Sequence, residues 1–415
     1  MTTTKSISFN EKFDNVVMMT LLLSTILQTY GWGKFDFASI LTLLLATISL
    51  FLHGREKPQM PFWLGVYFAF WYFSNMLCND FPQAVFPMGI IKAFLVYLMF
   101  YNTGLRLNYF IGKYRKIALV CIVFFVIQTI SRVFFNHVIV GVLSFLPVAI
   151  VSDNAGYLLW LSEMDRDSSF FSEPAMFVQF LLPLLVIELF YFPKKSWGRI
   201  IAIVLTLLFL QSGNALLGLA VIAVFYLWKY IIQKKSVKSI FSVILVLIVA
   251  GIGAFVYIQS DMGQALSNRS VTIQNDSYET TGYATSGFIR IYRGYYIYNE
   301  YPLKYKIIGN DNEDYIQEVI GHSKMSWAFH DETYVNTVQA FLIYTGIIGT
   351  FFYLLFFINQ WRKTNYCGRN ILALLMMLSF IAALHFREIM ALYLMIPFAM
   401  KKEEKYEEKS IASRV

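Results

Sequence analysis

TVQAFLIYTGIIGTFFYLLFFI, residues 337–358, runs for 22 positions without a charged side chain. A bilayer core is crossed by about 20 apolar residues in a helix, so the run reads as a membrane span. Immediately before it, residues 260–336 are polar and hold Arg269, Arg290, Arg293, His322 and His330. A chain that threads lipid keeps polar chemistry and irregular backbone where water can reach them. The two segments together predict lipid-embedded helices joined to one large extracytoplasmic loop.

Composition extends that reading to the whole chain. The 415 residues are 57% hydrophobic, 18% aromatic and 14% charged, with a mean hydropathy of +0.55. A water-soluble domain is far less apolar. Twelve apolar runs can be counted, near 15–32, 36–53, 61–77, 85–103, 117–136, 174–192, 199–212, 214–232, 239–258, 337–358, 370–385 and 387–400. The expected fold class is an all-α polytopic integral membrane protein with about 12 transmembrane helices. Residues 1–258 hold helices one to nine with an outer loop at about 137–173, 259–336 form the large extracytoplasmic loop containing short helices, 337–400 hold helices ten to twelve, and 401–415 are a cytoplasmic tail. Two pairs of runs, 199–232 and 370–400, are divided only by the short polar breaks Gln211–Asn214 and His385–Glu388. Cys78, Cys121 and Cys367 are spaced along the chain so that no disulfide framework is expected. The opening MTTTKSISFNEKFDN precedes a run with no small-residue cleavage site, which predicts a retained first helix.

Basic residues orient the spans. Arg55/Lys57, Arg106/Lys113/Arg115/Lys116, Lys194/Lys195/Arg199, Lys229/Lys234/Lys235/Lys238, Arg362/Lys363/Arg369 and Lys401/Lys402 fall in alternate connections, which are therefore cytoplasmic, as are both termini. The remainder of the chain is net acidic. The overall charge of +8 is thus a topology signal and not a nucleic-acid footprint. The short inner loops carry no phosphate-binding glycine loop. In the outer loop, GVLSFLPVAI (141–150) has the semi-apolar character of a segment lying in the membrane interface.

The informative residues are cations on the outer side or inside the membrane. Lys92 lies within the fourth run, Arg132 near the outer end of the fifth and Arg387 between the last two. Intramembrane charge usually faces a cavity or a partner; snorkelling to the interface is the competing reading. DRDSSFFSEP (165–174) enters the sixth run, with Arg166 between two carboxylates and Glu173 at the hydrocarbon boundary. Ser172 or Glu173 as cap with Pro174 following is ordinary helix initiation. Partial desolvation of Glu173 would also suit it to general-base work. In SGFIRIYRGYYIYNE (286–300), Arg290, Arg293 and Ile297 form one helical row, and Ile289, Tyr292 and Tyr296 form another. That pattern predicts a helix lying on the membrane with its aromatic side down. Two adjacent guanidinium groups suit phosphate or pyrophosphate oxygens, with pairing to nearby carboxylates as the plainer alternative. His330 precedes the tenth run and is a candidate proton acceptor, with His322 and His385 as competitors.

These segments, in this order, resemble the Wzy-type O-antigen and capsular polysaccharide polymerase family, which is similar in design to the O-antigen ligases. FFSEPAMF (170–177) resembles the family's Phe-x-Glu-Pro signature. SGFIRIYRGYYIYNEYPLKYKIIGND (286–311) resembles its loop helix, with Ser286, Gly287, Arg290, Pro302, Gly309 and Asn310 at matching places. VNTVQAFLIYTGIIG (335–349) resembles the segment returning to the membrane through Asn336, Gly346 and Gly349. Two departures stand out. LQSGNALLG (210–218) has Asn214 where the family commonly has arginine, and Val335 stands where a histidine often precedes the matching asparagine. The resemblance implies a glycosyltransferase of the bacterial inner membrane that joins undecaprenyl-pyrophosphate-linked oligosaccharide repeat units on the outer leaflet. Its expected partners are those lipid-linked glycans, membrane lipid and a chain-length regulator protein. No nucleic acid, metal or cofactor is expected. Arg166, Arg290 and Arg293 would hold the pyrophosphate with Lys92, Arg132 and Arg387 in support, and Glu173 or His330 would take the acceptor proton. An O-antigen ligase and a lipid-linked oligosaccharide flippase or other transporter remain alternatives.

Overall fold

The computed structural model describes residues 9–32, 35–53, 58–78, 88–103, 106–143, 145–148, 167–229, 286–322 and 335–412. Within them the chain is all-α apart from one small hairpin. The helices are α1 (Phe9–Leu27), α2 (Phe37–His53), α3 (Phe62–Cys78), α4 (Met88–Asn102), α5 (Leu107–Phe135), α6 (Pro174–Phe190), α7 (Trp197–Phe209), α8 (Gly213–Leu227), α9 (Ser286–Glu300), α10 (Leu303–Ile308), α11 (Glu313–His322), α12 (Thr337–Lys363), α13 (Tyr366–Ser379) and α14 (Glu388–Ala412). Between α1 and α2, β1 (Gly31–Trp32) pairs antiparallel with β2 (Phe35–Asp36).

Eleven of the twelve apolar runs coincide with helices, and the ninth, 239–258, lies outside the described residues. Among the described residues two helices, α5 and α12, are long and apolar enough to cross a membrane, and seven other apolar segments are shorter. Only 22% of the most apolar window of α5 is buried. Val120, Val123, Ile127, Ile130 and Val133 are exposed along its length.

Several boundaries differ from the sequence expectation, α14 for one continuing to Ala412, and two of them bear on the packing. α5 begins at Leu107, ten residues ahead of the apolar run, because its first turns are basic and amphipathic and not breaking. There Arg115 pairs with the buried Glu188 of α6 (Nε–Oε1 2.5 Å), as does Arg199 (3.4 Å). At the other boundary α13 stops at Ser379, so residues 380–385, expected within a span, form a non-helical break before α14. The start of α12 satisfies that break: Thr337 donates from N and Oγ1 to the Ala382 carbonyl (3.0 and 2.7 Å), and Asn336 Nδ2 donates to the Phe380 carbonyl (2.8 Å). Buried backbone groups need such partners once the helix ends. Asn336 also forms a reciprocal capping box with Gln339.

A large apolar core unites α1–α8 with α12–α14. The segment α9–α11 has a smaller core of its own, in which Ile297, Tyr301, Ile316 and Ile320 pack against Ala340 and Ile343 of α12. Each such aliphatic side chain contributes about 1.5–3 kcal/mol relative to exposure in water. Within α9 the row containing Arg293 and Ile297 is buried, whereas Tyr292, Tyr295 and Tyr296 are exposed. The side of α9 that carries Arg293 and Ile297 thus faces the protein, and the tyrosine face points away from it.

Candidate functional site

Two glycines join the polar segment to the long helix. Gly346 interrupts α12 with φ 60° and ψ −166°, a conformation essentially confined to glycine. Gly309, at the end of α10, has φ 80°. A Cβ on Gly346 would lie 2.4 Å from the Ile307 carbonyl oxygen, and one on Gly309 would lie 2.4 Å from the Thr345 nitrogen. The two backbones therefore meet directly. The Asn310 amide donates to the Ile343 carbonyl (2.8 Å), Tyr301 OH donates to the Asn310 carbonyl (3.1 Å), and Cys78 Sγ donates to the Gly309 carbonyl (3.2 Å).

This joint aims Asp311 into the bundle. Trp71 Nε1 donates to its Oδ2 (2.9 Å) and Asn75 Nδ2 donates to its Oδ1. Burial pushes the carboxyl above the usual carboxylate range, while the bonds from Asn75 and Trp71 pull it back.

Asp311 lines a cavity of about 800 Å³ built from one end of the bundle. Its walls come from the C-terminal ends of α1 and α3, the N-terminal ends of α2, α4, α6 and α14, and the break before α14. It is the end that the charge pattern assigns to the outer face. Lys92 and Arg387 both line it, with Asp36, Glu313, Glu388 and His385. Lys92 Nζ donates to Ser39 Oγ, and that hydroxyl donates to Asp36 Oδ2 (2.5 Å). Asp36 also caps α2 by accepting from the Ser39 amide (2.7 Å). Thr42 Oγ1 donates to Glu388 Oε1 (3.3 Å). Arg387 is exposed in the cavity, and among the described residues neither it nor Lys92 has a carboxylate within 4.0 Å. Tyr97 OH donates to the Arg387 carbonyl (3.1 Å) and holds that part of the break. His385 sits among Trp71, Phe341 and Tyr344, with Nε2 3.2 Å from Tyr67 OH.

The expected site residues fall into three groups. Lys92 and Arg387 are brought together. Arg132, Arg293 and Glu173 are described but do not line the cavity. Arg132 is committed to Asp167 (Nη2–Oδ1 2.6 Å), which also accepts from Thr129 (3.2 Å). Arg293 is buried in the face of α9 turned toward the protein. Glu173 occupies the N-cap position of α6 without a capping bond from its side chain, and its neighbours Ser172 and Met176 reach the cavity wall instead. Arg166 and His330 lie outside the described residues; Arg290 lies on α9, but its side chain is not among those described. His322 is exposed on α11, with Nδ1 2.9 Å from the Glu318 carbonyl of its own helix. The FFSEP segment serves the packing: Phe171 is fully buried and stacks on Phe177, and Ser169 bonds to Gln128 and to the Cys121 carbonyl.

Arg132→Ala is expected to act through stability. Asp167 is largely buried, and burial already raises its pKa against the pull of Arg132. Removing the arginine raises it further, so the loss, about 1–3 kcal/mol near neutral pH, shrinks as the pH falls and Asp167 takes up a proton. Thermal unfolding of the purified variant at two pH values measures this.

Asp36, Asp311 and Glu388 do not stand out in the sequence reading. The available signal for Asp311 was its place directly after Gly309–Asn310, facing a second glycine within an apolar span.

No family model matches the chain, and no curated protein or solved structure matches it either.

Proposed function

We propose that this chain is a multi-pass membrane glycosyltransferase that polymerises undecaprenyl-pyrophosphate-linked oligosaccharide repeat units on the outer face of the bacterial inner membrane. The observation that carries the reading is the mixed lining of the 800 Å³ cavity, where Lys92 and Arg387, neither with a carboxylate within 4.0 Å among the described residues, share the walls with several carboxylates. Cations suit a diphosphate, and carboxylates suit sugar hydroxyls; a lipid-linked glycan presents both. The exposed apolar length of α5 supports contact with lipid, and the basic end around Arg115, Arg199 and Lys195 supports a cytoplasmic assignment for the end opposite the cavity.

In this reading the diphosphate is the leaving group. Charge develops on it as the bond to the reducing-end sugar breaks, and the cations that line the cavity stabilise that charge. Arg290 and Arg166 remain proposed contributors, from α9 and from the earlier outer loop. Holding two membrane-tethered substrates at one mouth supplies orientation that free diffusion would not.

Deleting the gene tests the assignment. The expected result is lipid-linked glycan of a single repeat unit accumulating on the outer leaflet, with long polymer absent. Single units confined to the inner leaflet would assign a flippase, and unattached long polymer would assign a ligase.

A further inference from the structure

We propose that a second, smaller chamber beside the cavity is the subsite for the acceptor sugar, and that Asp311, in the wall between the two, takes the proton of the attacking hydroxyl. The inference rests on the glycosyl-transfer reading and names its acceptor site and its base. The smaller chamber measures about 330 Å³ and shares Trp71, Asp311 and Glu313 with the larger one. Its other walls include Ile297, Ile316, Ile343 and Tyr344. The Trp71 and Tyr344 rings are parallel to within 1° with centroids 6.4 Å apart. Flat apolar walls with a few placed acceptors suit the apolar face of a pyranose ring and its hydroxyls. Lys92 and Arg387 line only the larger chamber. Diphosphate chemistry and apolar sugar chemistry are therefore separated, with one fixed carboxylate between them.

Asp311 is held for that task. Trp71 and Asn75 donate one bond to each carboxylate oxygen, which leaves further lone pairs open to a hydroxyl. In the step, the acceptor hydroxyl oxygen bonds to the anomeric carbon of the donor sugar while its proton passes to Asp311. The bond from that carbon to the diphosphate breaks, and its electron pair leaves with the lipid diphosphate on the Lys92 and Arg387 side. The groups around Asp311 are Glu313 at the start of α11, Arg387 and His385 on the break before α14, Lys92 on α4, Glu388 on α14, Asp36 at the start of α2, Tyr344 on α12, Tyr301 after α9, and Tyr67 and Cys78 on α3. Burial outweighs them and raises the carboxyl.

The test uses the full chain in lipid nanodiscs, with a lipid-linked repeat unit as donor and a water-soluble glycoside of the same repeat unit as acceptor. Asp311→Asn is expected to lower kcat about 100-fold or more with both KM values little changed. Wild-type activity is expected to fall as the pH drops through a value above the ordinary carboxylate range, and that acid limb is expected to vanish in the variant. Because the fold favours the neutral carboxyl, the same change is expected to leave thermal stability unchanged or raised near neutral pH, which separates lost chemistry from lost structure. Ile316→Phe, which fills the smaller chamber, is expected to raise the acceptor KM about tenfold while the donor KM stays put. Asp311→Asn activity within threefold of wild type, or a large loss in Glu313→Gln instead, overturns the base. An unchanged acceptor KM in Ile316→Phe overturns the subsite. Wild-type protein that transfers no sugar to any acceptor overturns the glycosyl-transfer reading and the inference with it.

Discussion

Replacing Gly346 with alanine is expected to release the polar segment from the bundle and abolish polymer formation. The backbone there is in a region essentially restricted to glycine, which costs a β-carbon-bearing residue about 1–3 kcal/mol. The added carbon also meets the Ile307 carbonyl at 2.4 Å, and backbone cannot turn aside as a flexible side chain can. Together the expected loss is about 3 kcal/mol or more, concentrated on the joint that places Asp311. Limited proteolysis of the purified protein measures it: cleavage within α9–α11 is expected to accelerate while α5 and α6 stay protected. Gly65→Ala is the control, since a Cβ at that helical position meets nothing within 4 Å. Equal protection of the segment in both variants would show that the joint does not hold it.

Removing the cavity's cations is the second large effect. Arg387→Ala is expected to lower kcat/KM about 100-fold to 1,000-fold, the range seen when a preorganised donor to developing charge is lost. Lys92→Ala is expected to cost about tenfold, because a compact ammonium already bonded to Ser39 offers less to a diphosphate than a bidentate guanidinium. Arg387→Lys keeps the charge but loses the fork, so its activity is expected between alanine and wild type. Initial rates with varied lipid-linked donor check the series. A full-length glycan ladder from the Lys92→Ala/Arg387→Ala double variant, at normal protein level, would remove both residues from the diphosphate role.

Much of the architecture is legible from apolar periodicity because helices of this length need little else to declare themselves. The break at 211–214 was marked by its polar residues, and α7 and α8 divide there. Residues 380–385 were not legible: Phe380, Ile381, Ala382, Ala383 and Leu384 are as apolar as any span, and what holds them out of helix is Asn336 and Thr337, more than 40 positions earlier. The same limit explains the site. Lys92 and Arg387 were identifiable because charge in an apolar setting needs a cavity. Arg132 satisfied the same test, yet its partner Asp167 lies 35 positions away in the chain. Arg293 was read as half of an anion-binding face; the apolar Ile297 in its row was the sign that this face turns toward the protein. Asp311 owes its position to two glycines from distant segments, and only the folded backbone brings them together.

The central claim is tested most directly by one reconstitution. Purified protein in nanodiscs, given only a lipid-linked single repeat unit, is expected to release lipid diphosphate and yield a ladder of glycans lengthening by one unit per step. Intact single units after prolonged incubation, from protein that is folded and still sensitive to the Gly346→Ala change, would contradict it.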